Sequence, residues 1–191
     1  MQQQRYAIGL GSNRRHGRYG APAAVVRAAI AVIADTGADV IVVSPVIATP
    51  ALGPAGRSFA NAAMVVETAL APPALLTLLK SIEARFGRRR GRRWGPRVLD
   101  LDILLWSGGC WHAPGGRNLI IPHRGLEVRD FVLRPLSRIA PLWRVGAGVR
   151  TVRQAHARLS APRLTVRATT NREAASVGPV AQLVEQRTFN L

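Results

Sequence analysis

Several residue types are scarce in this sequence, and each scarcity excludes a class of protein. A single cysteine among 191 residues excludes an intramolecular disulfide and fits a reducing, cytoplasmic location. The most apolar stretch, over 21–43, is interrupted by charged residues, so we expect no membrane span and no membrane partner. The first residues lack the charged and apolar regions of a signal peptide. Acidic residues are also few, 10 against 27 basic ones, which leaves a net charge of +17.

This excess of positive charge favours polyanionic ligands. Nucleic acid, a membrane surface and nucleotide phosphates all fit it, and composition alone does not choose among them. The cations are nearly all arginine, with Lys80 the only lysine, so a coding bias towards arginine explains the scattered ones equally well. The scattered arginines are therefore weak evidence of function.

The sequence predicts one domain followed by a short tail. Its 191 residues, 48% of them hydrophobic, suffice for a single domain with a proper core, which we place at residues 1–163. Residues 164–191 lack a sustained hydrophobic period, so we expect a mostly disordered tail without function. The end of this tail resembles peptides that arise when transfer-RNA gene sequence is translated by mistake.

The hydrophobic patterns predict an α+β fold. Strands are indicated by β-branched or apolar runs that end at turn signals, and helices by apolar residues at helical spacing after a proline. The predicted elements are strands at 6–10, 39–47 and 61–68, helices at 22–34 and 72–87, and a last strand from about residue 98. This order, β-α-β-β-α-β, predicts a ferredoxin-like antiparallel sheet with both helices packed on one face.

Two aspartates interrupt the apolar run of the last predicted strand. Asp100 and Asp102 are two residues apart, so in a strand both carboxylates would emerge on the same face. Two like charges side by side are costly unless a positive charge compensates them. Taken alone, the pair is explained more readily by salt bridges to arginine on a solvent-facing strand than by a bound metal.

An arginine-rich loop precedes this strand directly. Five of the six residues over 88–93 are arginine, and Trp94 and Arg97 follow. The loop is either a solvated basic segment that contacts nucleic acid or a phosphate clamp, since guanidinium groups bind phosphate oxygens in pairs. Mg²⁺ takes one or two carboxylates and fills its other positions with phosphate and water. The order of arginine loop and aspartate strand therefore favours a metal–phosphate site.

Two further polar clusters lie apart from this stretch. The first combines His123 with Arg129 and Phe131, which could supply cations and a stacking ring to a pocket, although a histidine after proline is more often a turn residue. The second, over 49–61, combines an asparagine amide that could bind the edge of a heterocycle with an aromatic ring that could stack on its face.

Together these motifs resemble the 6-hydroxymethyl-7,8-dihydropterin pyrophosphokinase family over about residues 6–160. The segment from Arg93 to Ile103 is the longest and most specific match. In order, the matching landmarks are Gly11-Ser12-Asn13, Thr49-Pro50, Leu52-Gly53, Phe59, Asn61-Ala62, Gly87-Arg88, Trp94-Gly95-Pro96-Arg97, Leu99-Asp100-Leu101-Asp102-Ile103, Pro122-His123, Arg129, Phe131, Leu133 and Pro135-Leu136. None lies in the tail.

The resemblance implies an enzyme that transfers pyrophosphate from MgATP to the hydroxymethyl group of its pterin substrate, releases AMP and serves folate biosynthesis. It implies two Mg²⁺ ions held by Asp100 and Asp102. The implied catalytic residues are Asp100, Asp102, Arg88 and Arg97. The implied pterin contacts are Thr49, Pro50, Leu52, Phe59, Asn61, Trp94 and Phe131. The implied ATP contacts are Glu83, Arg88, Arg90, Trp94, Arg97, Ile103, His123 and Arg129. We expect a cytoplasmic monomer that acts on small molecules.

Two other functions compete with this enzyme as explanations of the sequence. A small basic nucleic-acid-binding domain explains the net charge, but Asp100 and Asp102 would repel a phosphate backbone that carried no metal. A structural domain with an arginine–aspartate salt-bridge cluster explains those pairs, but it leaves Thr49, Asn61 and His123 without a common purpose. The family resemblance decides for the enzyme.

Overall fold

The computed structural model describes residues 2–50, 58–87, 97–112, 119–145 and 150–161. Its strands are β1 (Gln4–Ser12), β2 (Asp39–Val43), β3 (Ile47–Thr49), β4 (Phe59–Thr68), β5 (Asp100–Trp106), β6 (Trp111–His112) and β7 (Ile120–Ile121). Its helices are α1 (Pro22–Ala34), α2 (Pro72–Arg85), a short 3₁₀ helix (Leu126–Val128), α3 (Asp130–Ile139) and α4 (Val152–Ser160). Within these ranges no helix combines the length and apolarity that a bilayer span needs.

The main sheet is antiparallel throughout, as predicted. Its strand order is β2-β4-β1-β5, with β3 also paired to β4, while β6 and β7 form a separate two-stranded sheet. Strand β1 therefore lies between β4 and β5. In this register Gly11 pairs with both Asn61 and Asp100, and Gly9 pairs with Asp102. The sheet thus brings the asparagine and the two aspartates of the sequence motifs to neighbouring positions.

The two faces of the sheet pack against different helices. Ile8 and Leu10 of β1 belong to the apolar core that contains the buried residues of α1 and α2. Ala7, which points the other way, belongs to a second core with the buried residues of α3 and α4. We call these the first face and the second face. Because strand residues alternate, Asp100 and Asp102 lie on the second face, opposite the buried Leu101.

The prediction that both helices pack on one face holds for α1 and α2, but in the described residues the other face carries helices as well. Helices α1 and α2 do share the first face, but α3 and α4, which we did not predict, cover the second. The second face carries Ala7, Ala63 and Leu105, which are as apolar as the residues of the first face and equally need to be buried. The sequence does not predict α3 because this helix contains Pro135, and proline is unfavourable in the interior of a helix.

The strand predicted over 39–47 is also interrupted, into β2 and β3. The break occurs at Ser44 and Pro45. Pro45 has no backbone N–H to give to a strand ladder. The hydroxyl of Ser44 instead accepts a hydrogen bond of 2.9 Å from the N–H of Ala63 in β4. Both segments stay paired to β4, so the break changes the strand count and leaves the sheet intact.

A bulge in β5 shapes the sheet next to the aspartates. Ala7 pairs with Leu105 whereas Ile8 pairs with Ile103, so Leu104 is an extra residue on the edge strand. Its side chain packs on Gly9, where a Cβ atom would lie 3.2 Å from the Leu104 methyl groups. Its carbonyl accepts a 3.0 Å hydrogen bond from the N–H of His123. The bulge therefore anchors the loop that carries this histidine.

Candidate active site

The two aspartates share one open pocket on the second face. Their partners in β1 are Gly11 and Gly9, which have no side chains and so leave room above the sheet. The side chain of Asp100 is 24% exposed and that of Asp102 is 37% exposed. Both carboxylates are thus accessible to a ligand, while the leucine between them is buried.

The pocket gathers residues from five separate parts of the sequence. It lies where β1, β4 and β5 run side by side and α3 begins. Besides the glycines and apolar residues of its walls, it is lined by six of the side chains singled out from the sequence: Asn61, Asp100, Asp102, His123, Arg129 and Phe131. An amide, two carboxylates, an imidazole, a guanidinium and an aromatic ring therefore face one space.

Asn61 is held in a fixed orientation within this pocket. It is 6% exposed, and its Nδ2 donates a 2.8 Å hydrogen bond to the hydroxyl of Thr49 in β3. Its Oδ1 lies close to β1, where a Cβ atom on Gly11 would be 3.2 Å away. The hydrogen bond to Thr49 therefore directs Nδ2 toward β3, with Oδ1 on the side of β1. Thr49, predicted as a pterin contact, acts here on the orientation of Asn61.

His123 and Arg129 supply the cationic side of the pocket. His123 Nδ1 accepts a 3.1 Å hydrogen bond from the N–H of Gly125, which leaves Nε2 as the donor atom of the neutral ring. That Nε2 lies 3.9 Å from Asp102 Oδ2. The Arg129 guanidinium stands 6.0 Å from the centre of the Phe131 ring, within reach of a cation–π interaction.

Gly125 is a functional position that sequence reasoning missed. A Cβ atom there would come within 2.7 Å of Arg129 Nε, so a larger residue would displace the arginine side chain from the place where it crosses this turn. Gly125 also provides the N–H that orients His123. The signal was a glycine two residues after the histidine, but a glycine in a loop has many ordinary explanations and gave no specific prediction.

Arg97 sits at the entrance to β5 and contacts the first aspartate. Its Nη1 is 2.6 Å from Asp100 Oδ2. Its backbone is held by Asn13, whose side-chain oxygen accepts from the N–H of Arg97 at 2.8 Å and whose own N–H donates to the Arg97 carbonyl at 3.2 Å. The sequence landmark at Asn13 carried no predicted role, and these two hydrogen bonds supply one.

Other residues from the resemblance either do not line the pocket or lie outside the described residues. Ile103 is buried in the first-face core, and Glu83 is buried behind β5 with its carboxylate against the backbone of that strand. Phe59 begins β4, and the exposed Pro50 follows β3. Four residues lie outside the described residues: Leu52, Arg88, Arg90 and Trp94.

The carboxylate pair fits a metal ion that arrives with phosphate. Among the described residues, no three His, Cys, Asp or Glu side chains come together as a ready metal cage. Asp100 and Asp102 offer hard oxygen ligands, and Asp100 already attracts a cation, the Arg97 guanidinium. Mg²⁺ prefers one or two carboxylates with phosphate and water completing its octahedron. The donor set therefore suits Mg²⁺ carried by a nucleotide.

Comparison with known proteins identifies the family. Residues 7–141 match the family model described as 7,8-dihydro-6-hydroxymethylpterin-pyrophosphokinase (HPPK). The chain is 42% identical over 154 residues to the 2-amino-4-hydroxy-6-hydroxymethyldihydropteridine pyrophosphokinase of Methylorubrum extorquens, covering 80% of this chain and 91% of that one. Against the Pseudomonas aeruginosa protein of the same name it is 40% identical over 146 residues, covering 76% and 86%.

A solved structure has the same fold. The crystal structure of Plasmodium falciparum HPPK-DHPS superposes with a TM-score of 0.59 at 13% identity, covering 82% of this chain and 43% of that longer one. This likeness concerns the fold, while the family match and the two relatives concern the sequence. The chain therefore belongs to the 7,8-dihydro-6-hydroxymethylpterin pyrophosphokinase family.

Proposed function

We propose that this chain transfers pyrophosphate from MgATP to the hydroxymethyl group of 6-hydroxymethyl-7,8-dihydropterin and releases AMP, as a step of folate biosynthesis. Family membership across residues 7–141 supports the reaction. The observation that carries the assignment of the site is the single pocket that collects an amide, an aromatic ring, two carboxylates and two potential cations. The nucleic-acid-binding alternative finds no support in these matches.

Asp100 and Asp102 are the proposed metal ligands, and two Mg²⁺ ions bound with ATP would neutralise charge on the transferred phosphates. The glycines opposite them leave space for the triphosphate. Arg97 is proposed to turn from Asp100 to a phosphate oxygen once that carboxylate has a metal partner. From the resemblance alone, Arg88 is a proposed catalytic residue and nucleotide contact, and Arg90 is a proposed nucleotide contact. Trp94 is a proposed contact of both the nucleotide and the pterin.

The proposed pterin site centres on Asn61 and Phe131. The fixed amide of Asn61 can both donate to and accept from the ring edge, and Phe131 can stack on the ring face. Thr49 contributes by orienting the amide. Pro50, Leu52 and Phe59 remain proposed contacts from the resemblance alone.

The proposed nucleotide contacts from the described residues are His123 and Arg129. His123 presents Nε2 to the pocket, and Arg129 presents a guanidinium held over Phe131. Ile103 can reach a nucleotide only through its backbone, because its side chain is buried on the first face. Glu83 stays a proposed nucleotide contact from the resemblance alone, and its buried carboxylate binds the backbone of β5.

The transfer needs positioning more than covalent help from the protein. The pterin hydroxymethyl oxygen forms a bond to the β-phosphorus of ATP, and the bond from that phosphorus to the oxygen of AMP breaks. Holding both substrates in line and stabilising charge on the phosphate oxygens accounts for most of the rate in such reactions. Asn61 and Phe131 would hold the pterin, while Arg97, His123 and Arg129 would face the phosphates.

The ferredoxin-like topology, the cellular location and the oligomeric state are also proposals. The strand order β2-β4-β1-β5 with α1 and α2 on one face supports the ferredoxin-like description. The single cysteine supports a cytoplasmic location. We further propose that the enzyme works as a monomer on small molecules only.

The assay that tests the function follows nucleotide products. Purified protein should convert ATP to AMP only when Mg²⁺ and 6-hydroxymethyl-7,8-dihydropterin are both present, because the hydroxymethyl oxygen is the acceptor. Chromatography of the nucleotides with time measures this. Formation of ADP, or AMP formation at the same rate with and without the pterin, would contradict the proposal.

We propose that residues 164–191 take no part in the reaction. The family match ends at residue 141 and the compact unit that holds the pocket ends at Ala161. A chain that stops at residue 163 should therefore keep its kcat/KM within about twofold of the full chain. Steady-state kinetics of the two chains measures this, and a loss beyond about tenfold would show that the tail contributes.

A further inference from the structure

One lysine and one buried glutamate on α2 contact the backbone between the two aspartates. Lys80 is the only lysine in a chain with 27 basic residues, and Glu83 is 1% exposed. A buried carboxylate is costly unless hydrogen bonds and a cation satisfy it. The partners of this carboxylate therefore indicate what it is for.

Both side chains bind the same peptide segment. Glu83 Oε1 accepts a 2.7 Å hydrogen bond from the N–H of Leu101 and a 2.8 Å hydrogen bond from Lys80 Nζ. Lys80 Nζ also donates to the carbonyl of Leu101 at 3.1 Å. The pair thus engages both backbone polar groups of the one residue that separates Asp100 from Asp102.

The position of β5 in the sheet explains why these groups are available. Among the described strands, β5 is at the edge of the main sheet and has β1 as its one neighbour in the strand order. Alternate residues of such a strand direct their N–H and C=O away from the neighbour. Those of Leu101 are directed to α2, where Lys80 and Glu83 take the place of a further strand.

The choice of lysine also has a physical reason. A single compact ammonium can donate to Glu83 Oε1 and to the Leu101 carbonyl at the same time, because it has three donor hydrogens on one atom. A guanidinium instead distributes its donors over the three nitrogens of a planar fork, whereas here both acceptors share one nitrogen.

We propose that Lys80 and Glu83 form a positioning device that fixes the Leu101 peptide and thereby the relative orientation of Asp100 and Asp102 toward the metal of MgATP. Glu83 acts on the two aspartates through the strand, by its hydrogen bond to the Leu101 N–H. The inference rests on the metal role proposed above for the two aspartates. Groups that orient metal ligands from outside typically change metal affinity or activity by roughly 10–100-fold when they are removed.

The test measures Mn²⁺ binding by electron paramagnetic resonance in the presence of a non-hydrolysable ATP analogue. Glu83→Gln keeps the size of the side chain and an acceptor for the Leu101 N–H but removes the charge pair with Lys80. Lys80→Met removes the ammonium from a side chain that is 43% exposed and is the variant expected to fold most readily. Each should weaken Mn²⁺ binding by roughly tenfold and lower kcat, with the KM for pterin unchanged.

Two further variants serve as controls for this experiment. Glu67→Gln breaks the pair of Glu67 with Arg5, an ion pair near the other end of β4 and remote from the aspartates, and should leave Mn²⁺ affinity and kcat as in the wild type. Wild-type Mn²⁺ affinity and kcat in Lys80→Met would overturn the positioning role. If Asp102→Asn also left Mn²⁺ binding unchanged, the metal assignment itself would fail.

Hydrogen exchange provides a second readout that does not depend on metal. In the full chain the amide hydrogen of Leu101 should exchange faster in Glu83→Ala than in the wild type, because its acceptor is gone. Exchange in α1, which packs elsewhere on the first face, should stay the same. Unchanged protection at Leu101 in this variant would contradict the proposed hold on the peptide.

Discussion

Asp102→Asn should lower kcat by about a thousand-fold or more while the protein remains folded. The substitution keeps the shape of the side chain and removes one of the two charges that attract Mg²⁺. Losing several kcal/mol of charge stabilisation on the transferred phosphates corresponds to roughly three orders of magnitude in rate. Because this carboxylate is 37% exposed and faces Gly9, its neutralisation leaves the core untouched. Steady-state kinetics with pterin and MgATP, together with the thermal midpoint, measures both effects.

Asp100→Asn should give a similar loss of rate with an additional local change. Asp100 carries an ion pair with Arg97, so its neutralisation also removes the charge of that pair. Among the described residues, Asp102 has just the 3.9 Å approach of the His123 ring in place of such an ion pair, and it is therefore the cleaner position for the measurement.

Asp39→Asn is the matched control for both substitutions. Asp39 is an exposed aspartate on β2 and pairs in register with Glu67 near the other end of β4. Removing one of these two like charges should be neutral or slightly stabilising, and kcat should not change. If Asp102→Asn folded and turned over at a rate close to that of the wild type and of Asp39→Asn, Asp102 would not be a metal ligand.

The sequence predicts the aspartate face well because the signal is local. Asp100 and Asp102 alternate with Leu101 and Ile103, and a period of two leaves only one arrangement of carboxylates and core residues. The same holds for the positions of β1, β4, α1 and α2 along the chain, whose apolar patterns lie within single segments. These parts of the fold follow from residues that are neighbours in the chain.

The remainder depends on contacts between distant segments. Nothing near Asn13 indicates that it will hold the backbone of Arg97, 84 residues away. The bulge at Leu104 follows from packing on Gly9 and from the acceptor it provides for His123, and has no sequence pattern of its own. Glu83 came from the resemblance as a nucleotide contact, and only the docking of α2 on β5 reveals its hold on Leu101. Tertiary packing, which a local pattern does not encode, decides each of these.

Arg97→Ala should change two measurable quantities in opposite directions. Turnover should fall by roughly 10²–10³-fold, because a preorganised cation facing the transferred phosphates stabilises the transition state by about 2.7–4 kcal/mol, the range known for a single such donor. Binding of Mn²⁺ alone, without nucleotide, should become up to about fivefold tighter. The reason is that Arg97 occupies Asp100 at 2.6 Å, so a metal must displace it.

The expected gain in metal affinity is small because the ion pair is partly exposed. The Arg97 side chain is 40% exposed, and pairs of this kind contribute about 0.2–1 kcal/mol, which corresponds to no more than about fivefold in affinity. The substitution also spares the backbone of this segment, since both hydrogen bonds with Asn13 use the main chain of Arg97. A change in Mn²⁺ binding therefore reports the side chain itself.

Arg5→Ala separates this effect from a general loss of positive charge. Arg5 pairs with Glu67 near the opposite end of the sheet, so its removal lowers the net charge by the same amount without touching the pocket. If both variants bound Mn²⁺ more tightly, the long-range field of a chain with a net charge of +17 would be responsible. If only Arg97→Ala did so and also lost turnover, the same guanidinium would serve as counter-ion of Asp100 before the nucleotide binds and as phosphate ligand afterwards. Weaker Mn²⁺ binding in Arg97→Ala would contradict this exchange, because it would mean that the arginine supports the metal site instead of competing for it.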